Sequence, residues 1–309
     1  MNTRRIGSLT VSEIGLGCNN FGMRIDAART QAVVDAALDA GITFFDTADI
    51  YGGTLSEEFL GRALAGRRQR VVVATKFGMP VDDQRKGAQP DYVRRAVDDS
   101  LRRLAVDQID LYQLHTPDPE TPMADTLGAL NDLVQAGKVR EIGCSNFSAT
   151  QLQEAEAAVA QGGARFVSVQ NEYSLLQREP ERDVLAECDR RALAFLPFFP
   201  LASGLLTGKY ARGVPPPAGT RLTHAWAASR FLSDERESLV DALTAFAASR
   251  GHAILDLAIS WLLHRPVVAS VIAGATTPEQ VQANVRAGTW HLTDADLAEV
   301  DRIVPVTTV

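Results

Sequence analysis

The sequence predicts an α/β fold, a (β/α)8 TIM barrel preceded by an N-terminal β-hairpin. Three observations predict it. Short apolar runs alternate with helical patterns along the chain, joined by short connections. Eight such runs can be counted, enough for a parallel sheet to close on itself. The 309 residues suit one large barrel, taken as a single domain over 1–309.

The hairpin comes first. Arg4 to Ile6 and Leu9 to Val11 flank Gly7-Ser8, a turn pair. Ile14 to Gly17 is the first barrel strand. Thr43 to Phe45 ends at Asp46, Val71 to Thr75 at Lys76, and Asp110 to Leu114 at His115. Val139 to Cys144 stops before Ser145 and Asn146, and Phe166 to Val169 ends at Gln170. Ala194 to Pro197 leads into Phe198, and Ser270 to Ile272 leads into Gly274. Continuous apolar runs of this length suit parallel strands covered on both faces.

Helices fall between the runs. Val33, Val34, Ala37 and Leu38 form a stripe, and Gly41 suits a left-handed position after the last turn. Ser56 is the expected cap of a helix over Glu57 to Ala65. Tyr92, Val93, Ala96, Val97, Leu101 and Leu104 make a second stripe. Ser148 with Gln151, and Thr277 with Gln280, carry capping-box spacing. A last helix spans roughly Asp294 to Ile303. One long irregular stretch, Gly204 to Arg230, is rich in Gly and Pro and leaves the C-terminal end of a strand. Loops of this length in compact domains are usually functional or disordered.

Composition narrows the function. The chain is 46% hydrophobic and 22% charged, enough for a large core. A net charge of -7 argues against nucleic acid or an anionic membrane as partner. Arg67, Arg68 and Arg70 read as a solvated loop. Cys18, Cys144 and Cys188 form no CxxC pair and no metal-ligand spacing. The five histidines form no HxH or HExxH pair, so no metal is expected. Met1 to Arg5 is charged with no apolar signal core behind it, and no run approaches the roughly 20 apolar residues of a membrane span. The expectation is a cytoplasmic protein.

Polar residues stand at matching strand ends. Asp46, Lys76 and His115 follow the second, third and fourth strands, and Tyr51 lies five residues past Asp46. Each alone has a structural explanation: a turn cap, a snorkelling lysine, a rim histidine. Together they converge on one barrel rim, where barrel enzymes place their chemistry. Hydride addition to a carbonyl needs a proton donor at the oxygen. A tyrosine, with an ordinary pKa near 10, is a weak acid at pH 7. The Lys76 ammonium would lower that pKa, Asp46 would hold Lys76, and His115 would orient the carbonyl oxygen.

At these residues the sequence resembles the aldo-keto reductase superfamily. Gly15-Leu16-Gly17-Cys18, Phe45-Asp46-Thr47-Ala48-Asp49-Ile50-Tyr51-Gly52, Ala74-Thr75-Lys76-Phe77-Gly78 and Leu111-Tyr112-Gln113-Leu114-His115 carry the likeness. So do the stretches Gly137 to Phe147 and Pro200 to Lys209. The resemblance runs from the first strand to Asn284. It implies Tyr51 as general acid, with Asp46, Lys76 and His115 completing a tetrad, and NADPH/NADP+ bound across the barrel mouth.

The resemblance also implies cofactor contacts. Gly17, Cys18, Asn19 and Asp46 border the site. Ser145, Asn146 and Gln170 match residues that hydrogen-bond the nicotinamide amide. Phe198 matches the aromatic stacked on its ring, and Phe199 stands where many members have Ser. Leu201, Ser203 and Leu205 lie where the pyrophosphate runs. Gly274, Thr276, Thr277, Gln280 and Asn284 match the segment around the adenosine phosphate. Gln280 stands where many NADPH-specific relatives have Arg, so NADH is expected to work at lower efficiency. Phe21, Phe147 and Trp226 are candidates for an apolar substrate wall beside Tyr51 and His115, and Asn19 and Asn20 lie near that mouth.

Two function classes follow. One is an NADPH-dependent reductase of an aldehyde or ketone. The other is a regulatory or binding protein of the same fold, similar to the potassium-channel β-subunits. Turnover of a simple aldehyde separates them.

Overall fold

The computed structural model describes residues 1–306. A hairpin of β1 (Thr3–Ile6) and β2 (Leu9–Ser12) opens the chain, as expected. Eight parallel strands follow: β3 (Ile14–Gly17), β4 (Phe44–Asp46), β5 (Val72–Phe77), β6 (Ile109–Leu114), β7 (Val139–Ser145), β8 (Phe166–Glu172), β9 (Ala194–Phe198) and β10 (Val271–Gly274). They are ordered as in the chain, with β10 beside β3. The β9 and β10 sides meet through Phe195 N–H, which donates to Val267 O at 2.7 Å, and Ala269 N–H, which donates to Phe195 O at 3.0 Å.

The helices alternate with these strands. They are α1 (Ala27–Asp39), α2 (Leu55–Ala63), α3 (Pro90–Leu104), α4 (Met123–Gln135), α5 (Ala149–Ala157), α6 (Val184–Arg191), α7 (Ala225–Phe231), α8 (Asp234–Ser249), α9 (Ile254–Leu263), α10 (Pro278–Ala287) and α11 (Asp294–Ile303). Their apolar stripes face the sheet. On α3, Tyr92, Val93, Ala96, Val97 and Leu104 are buried. On α1, Asp26 accepts from the Arg29 N–H at the start, and Gly41 takes φ +84° after the end. Ser148 and Gln151 form both halves of the expected capping box.

Four expectations need correction. The cap of α2 is Thr54, at φ 80° and without a side-chain bond, and Ser56 lies inside the helix. The Ser56 hydroxyl instead donates to Cys18 O at 2.9 Å and meets Thr47 Oγ1 at 2.8 Å, tying α2 to the barrel rim. The stretch 204–230 is not wholly irregular, since it carries most of α7 and two short 3-10 turns. Arg67 and Arg68 are anchors, paired with Asp35 and Asp110 at 2.6 and 2.5 Å. The Thr277 hydroxyl accepts the Gln280 N–H, but the Gln280 side chain turns to Thr276, so that capping box is half formed.

The strands' period of two sorts the barrel interior into layers. Phe44, Val72, Ala74, Leu111, Ala194 and Leu196 pack with Ile6, Leu9 and Val11 of the hairpin. The hairpin is tied beneath them: Ser12 and Thr43 exchange backbone-to-hydroxyl bonds at 2.9 Å, and the Arg4 guanidinium donates to Leu263 O, Arg265 O and Val268 O. Two residues further along the strands, Asp46, Lys76 and Gln113 take the same inward direction. The lower barrel is therefore apolar and plugged, and polar groups gather at the strand ends.

Candidate active site

Every barrel strand delivers one residue to the open mouth. Gly17 ends β3, Asp46 ends β4, Lys76 sits near the end of β5, and His115 follows β6. Ser145 ends β7, Gln170 lies in β8, Phe198 ends β9 and Gly274 ends β10. All but Lys76, which lies buried beneath, line a cavity of about 760 Å3, which Tyr51 also lines. Tyr51 arrives from the turn between β4 and α2. There Gly52 takes φ +59°, and a Cβ on it would stand 2.4 Å from Phe21 O.

The four residues of the expected tetrad are together. Lys76 Nζ donates to Asp46 Oδ2 at 2.6 Å and to Thr47 O at 2.8 Å. It lies 5.2 Å from the centre of the Tyr51 ring. The Tyr51 and His115 rings meet edge to face at 5.8 Å. Lys76 is wholly buried beneath the cavity floor, where an unpaired ammonium would be costly. Burial disfavours its charge, yet the Asp46 carboxylate and the Tyr51 phenol hold the ammonium above its ordinary pKa. Burial also raises the Tyr51 phenol, and Lys76 opposes this without overcoming it. The sequence argument had Lys76 lowering that pKa outright; desolvation wins, so the phenol is protonated at neutral pH. His115 is held well below its ordinary value by burial and then by Lys76, which makes it a neutral imidazole.

Hydrogen bonds order the floor. Asp46 Oδ1 accepts from Gln170 Nε2 at 2.9 Å and from Gln113 Nε2 at 3.2 Å. Ser145 Oγ donates to Gln170 O at 2.7 Å, and Asn146 Nδ2 donates to His115 O at 2.9 Å. Asn146, Phe199 and Ser203, all on the cavity wall, hold left-handed backbone at φ 62°, 49° and 57°. Non-glycine residues in that region are strained and cluster at functional sites.

Of the remaining expected residues, Cys18, Asn19, Leu201, Ser203, Thr276, Gln280 and Asn284 line the cavity, whereas Leu205 and Thr277 do not. The three residues expected to form an apolar substrate wall do not line this cavity. Phe21 and Phe147 are core residues, Phe147 packing edge to face on Phe166, and Trp226 is an exposed residue of α7 off the cavity wall. Asn20 belongs to the far end of the cavity, donating to Ala275 O at 3.2 Å and accepting from Arg221 at 2.8 Å.

Sequence reasoning missed a basic cluster. Arg24, Lys209 and Arg221 line the same cavity, and among the described residues no carboxylate pairs with them. Burial lowers the pKa values of Lys209 and Arg221, and neighbouring Arg24 lowers both further. Three cations without carboxylate partners concentrate positive potential in a concave site. It also missed Glu172, Met79 and Arg230 on the wall, with Glu172 paired to Arg230. No local signal marks that pair, because 58 positions separate its members. Gln113 carried a local signal that was not used: it lies two residues before His115, near the end of β6.

The cavity suits a long anionic cofactor on this chain's own features. The cations gather on its wall, close enough to influence one another. Ser203, on the cavity wall, has its Oγ buried without a partner. Gly17 and Gly274 leave the wall without side chains, and a Cβ on Gly274 would come within 3.2 Å of Asn20.

Comparison with known proteins gives a consistent result. The profile of the Aldo/keto reductase family matches residues 13–305. The chain is 32% identical over 334 aligned positions to Protein tas of Escherichia coli (strain K12), covering 97% of this chain and 96% of that one. It is 34% identical to the uncharacterized oxidoreductase YrpG of Bacillus subtilis (strain 168), over 96% of this chain and 93% of that one. Among solved structures, the glycerol dehydrogenase AKR11B4 from Gluconobacter oxydans superposes with a TM-score of 0.85 at 30% identity, covering 99% of each chain. The holo form of aldo-keto reductase AKR11C1 from Bacillus halodurans gives 0.82 at 32% identity, over 100% of this chain and 98% of that one.

Proposed function

Because the chain belongs to the aldo/keto reductase family, whose members generally reduce carbonyls with NAD(P)H, we propose that it reduces an aldehyde or ketone to an alcohol with NADPH, Tyr51 serving as general acid. The observation that carries the reading is the buried Lys76–Asp46 pair at 2.6 Å beneath Tyr51 and His115, on the floor of the cavity at the barrel mouth.

When bound, the cofactor supplies the hydride. The protein's own groups do the rest. The Tyr51 phenol, protonated at neutral pH, gives its proton to the carbonyl oxygen as charge develops there. The Lys76 ammonium stabilises the phenolate left behind, and Asp46 keeps Lys76 charged and in place. Neutral His115 donates a hydrogen bond that orients the carbonyl oxygen. Ser145, Asn146 and Gln170 would hold the nicotinamide amide, and Phe198 would stack on its ring. Gly17, Cys18 and Asn19 border that path. Lys209, Arg221 and Arg24 would take the phosphates alongside Leu201 and Ser203. Thr276, Gln280 and Asn284 would meet the adenosine end. The three cysteines are free and buried, which suits a reducing cytoplasm. No helix among the described residues is long and apolar enough to cross a membrane.

The test is turnover of a simple aldehyde such as 4-nitrobenzaldehyde, followed as loss of NADPH absorbance. Turnover far above buffer supports the reductase. Tight cofactor binding with no turnover across a carbonyl panel replaces it with a binding protein of the same fold.

A further inference from the structure

We propose that Gln113 is a positioning residue of this site, setting both the Asp46 carboxylate and the Gln170 carboxamide while touching neither substrate nor cofactor. The inference rests on the reductase reading above.

Gln113 lies within β6 and is fully buried, off the cavity wall. Its neighbour one layer below, Leu111, is apolar. A carboxamide in this interior costs free energy unless its polar atoms are paired. Both are. Nε2 donates to Asp46 Oδ1 at 3.2 Å, and Oε1 accepts from Gln170 Nε2 at 3.5 Å. Gln170 Nε2 also donates to Asp46 Oδ1 at 2.9 Å, so the three side chains close a ring. The sheet register makes the space. Gln113 stands opposite Gly143 on β7, where a Cβ would meet Ser168 Oγ at 2.4 Å and Gln113 Cγ at 3.3 Å.

The ring has two consequences. The first is electrostatic. Lys76 holds Oδ2 of Asp46, and the two carboxamides hold Oδ1. Donors on Oδ1 spread the carboxylate charge and turn Oδ2 toward Lys76. The Asp46 charge opposes ionisation of Tyr51. By drawing off part of that charge, Gln113 keeps Tyr51 a stronger acid. The second is directional. The Nε2 hydrogens of Gln170 are engaged by Asp46 and Gln113, which leaves Gln170 Oε1 as an acceptor on the cavity side. That polarity fits the N–H of a carboxamide, the group that nicotinamide carries. Without Gln113 Oε1, one of the two acceptors fixing the Gln170 orientation is gone.

The experiment compares Gln113→Leu and Gln113→Met with the wild type. Met keeps the length of the side chain and removes both polar atoms, so it folds even where the branched Leu does not fit. Three quantities are read: melting temperature, the NADP+ dissociation constant of the ligand-free protein from tryptophan fluorescence, and kcat against pH. Losing a hydrogen bond to a charged group predicts a kcat/KM about ten-fold lower. NADP+ affinity falls several-fold. The alkaline limb of kcat moves to higher pH, because a weaker acid keeps its proton longer. A purely structural role would shift melting alone. Variants with wild-type NADP+ affinity and an unmoved alkaline limb overturn the proposal. If the wild type binds NADP+ but reduces no carbonyl, the reductase reading fails, and the affinity comparison still decides the role of Gln113.

Discussion

Gln280 Oε1 accepts the Thr276 backbone N–H at 2.8 Å and its hydroxyl at 3.2 Å, so the start of α10 is already occupied from within. A phosphate seated there must displace an amide oxygen to reach the same donors. The helix start still offers a positive dipole end. The expected outcome is a preference for NADPH that is weak for this family, with measurable NADH turnover. Gln280→Arg frees the Thr276 donors and adds a cation, which sharpens the preference by about ten-fold. The measurement is kcat/KM for each cofactor at saturating aldehyde. A wild-type preference for NADH identifies this turn as a structural cap.

In the proposed reaction, Tyr51→Phe removes the phenol that protonates the carbonyl. General acid catalysis contributes about 10²–10⁴-fold, so reduction falls by at least the lower figure while NADP+ affinity stays within a few-fold. Lys76→Met is comparably damaging and also leaves Asp46 buried without its cation. Single-turnover kinetics check both. A Tyr51→Phe protein that keeps a third of wild-type chemistry assigns the acid role elsewhere.

Lys209→Ala and Arg221→Ala each weaken NADP+ binding by about ten-fold, the loss shrinking at high salt as screening grows. Melting temperature holds or rises, because each change relieves repulsion among like charges. Titrations at two ionic strengths give both readings. Unchanged affinity in either variant removes that side chain from the cofactor path.

Asp49 is buried beside Glu57 with a single guanidinium, Arg103, between two carboxyls, and its Oδ1 lacks a partner. Burial first, and then Glu57, push its carboxyl up to about 7, against Arg103 and Lys76. A native pKa above the unfolded one means the folded protein binds the extra proton. Stability therefore declines as pH rises from about 4 to about 7 and levels off beyond; the span corresponds to at most about 4 kcal/mol. Asp49→Asn removes this slope, so the variant gains on the wild type between pH 5.5 and pH 8. Parallel denaturation curves at the two pH values for both proteins contradict the assignment.

The sequence carried the barrel well because its signals are local. A strand of parallel sheet covered on both faces reads as an apolar run, and a polar residue at its end stands out, as Asp46, Lys76 and His115 do. Those matching strand ends, with Tyr51 five residues past Asp46, already implied one shared rim. What stayed hidden was set by distance along the chain. Ser56 has the spacing of a cap, yet a buried acceptor at Cys18 O takes its hydroxyl. Phe21 and Phe147 carry the composition of a substrate wall, yet the core claims both rings. Arg24, Lys209 and Arg221 come from two separate loops, and only the folded chain brings their charges together.

The hairpin below the barrel also gives the molecule a front and a back. Its strands close the end opposite Tyr51, and Met1 is exposed on that rear face. Among the described residues the hairpin end is plugged, so the cavity opens at the opposite end. A purification tag, fusion partner or solid support joined at Met1 points away from that entrance. Tethered by its N-terminus, the protein presents its cavity outward, an orientation suited to immobilised catalysis.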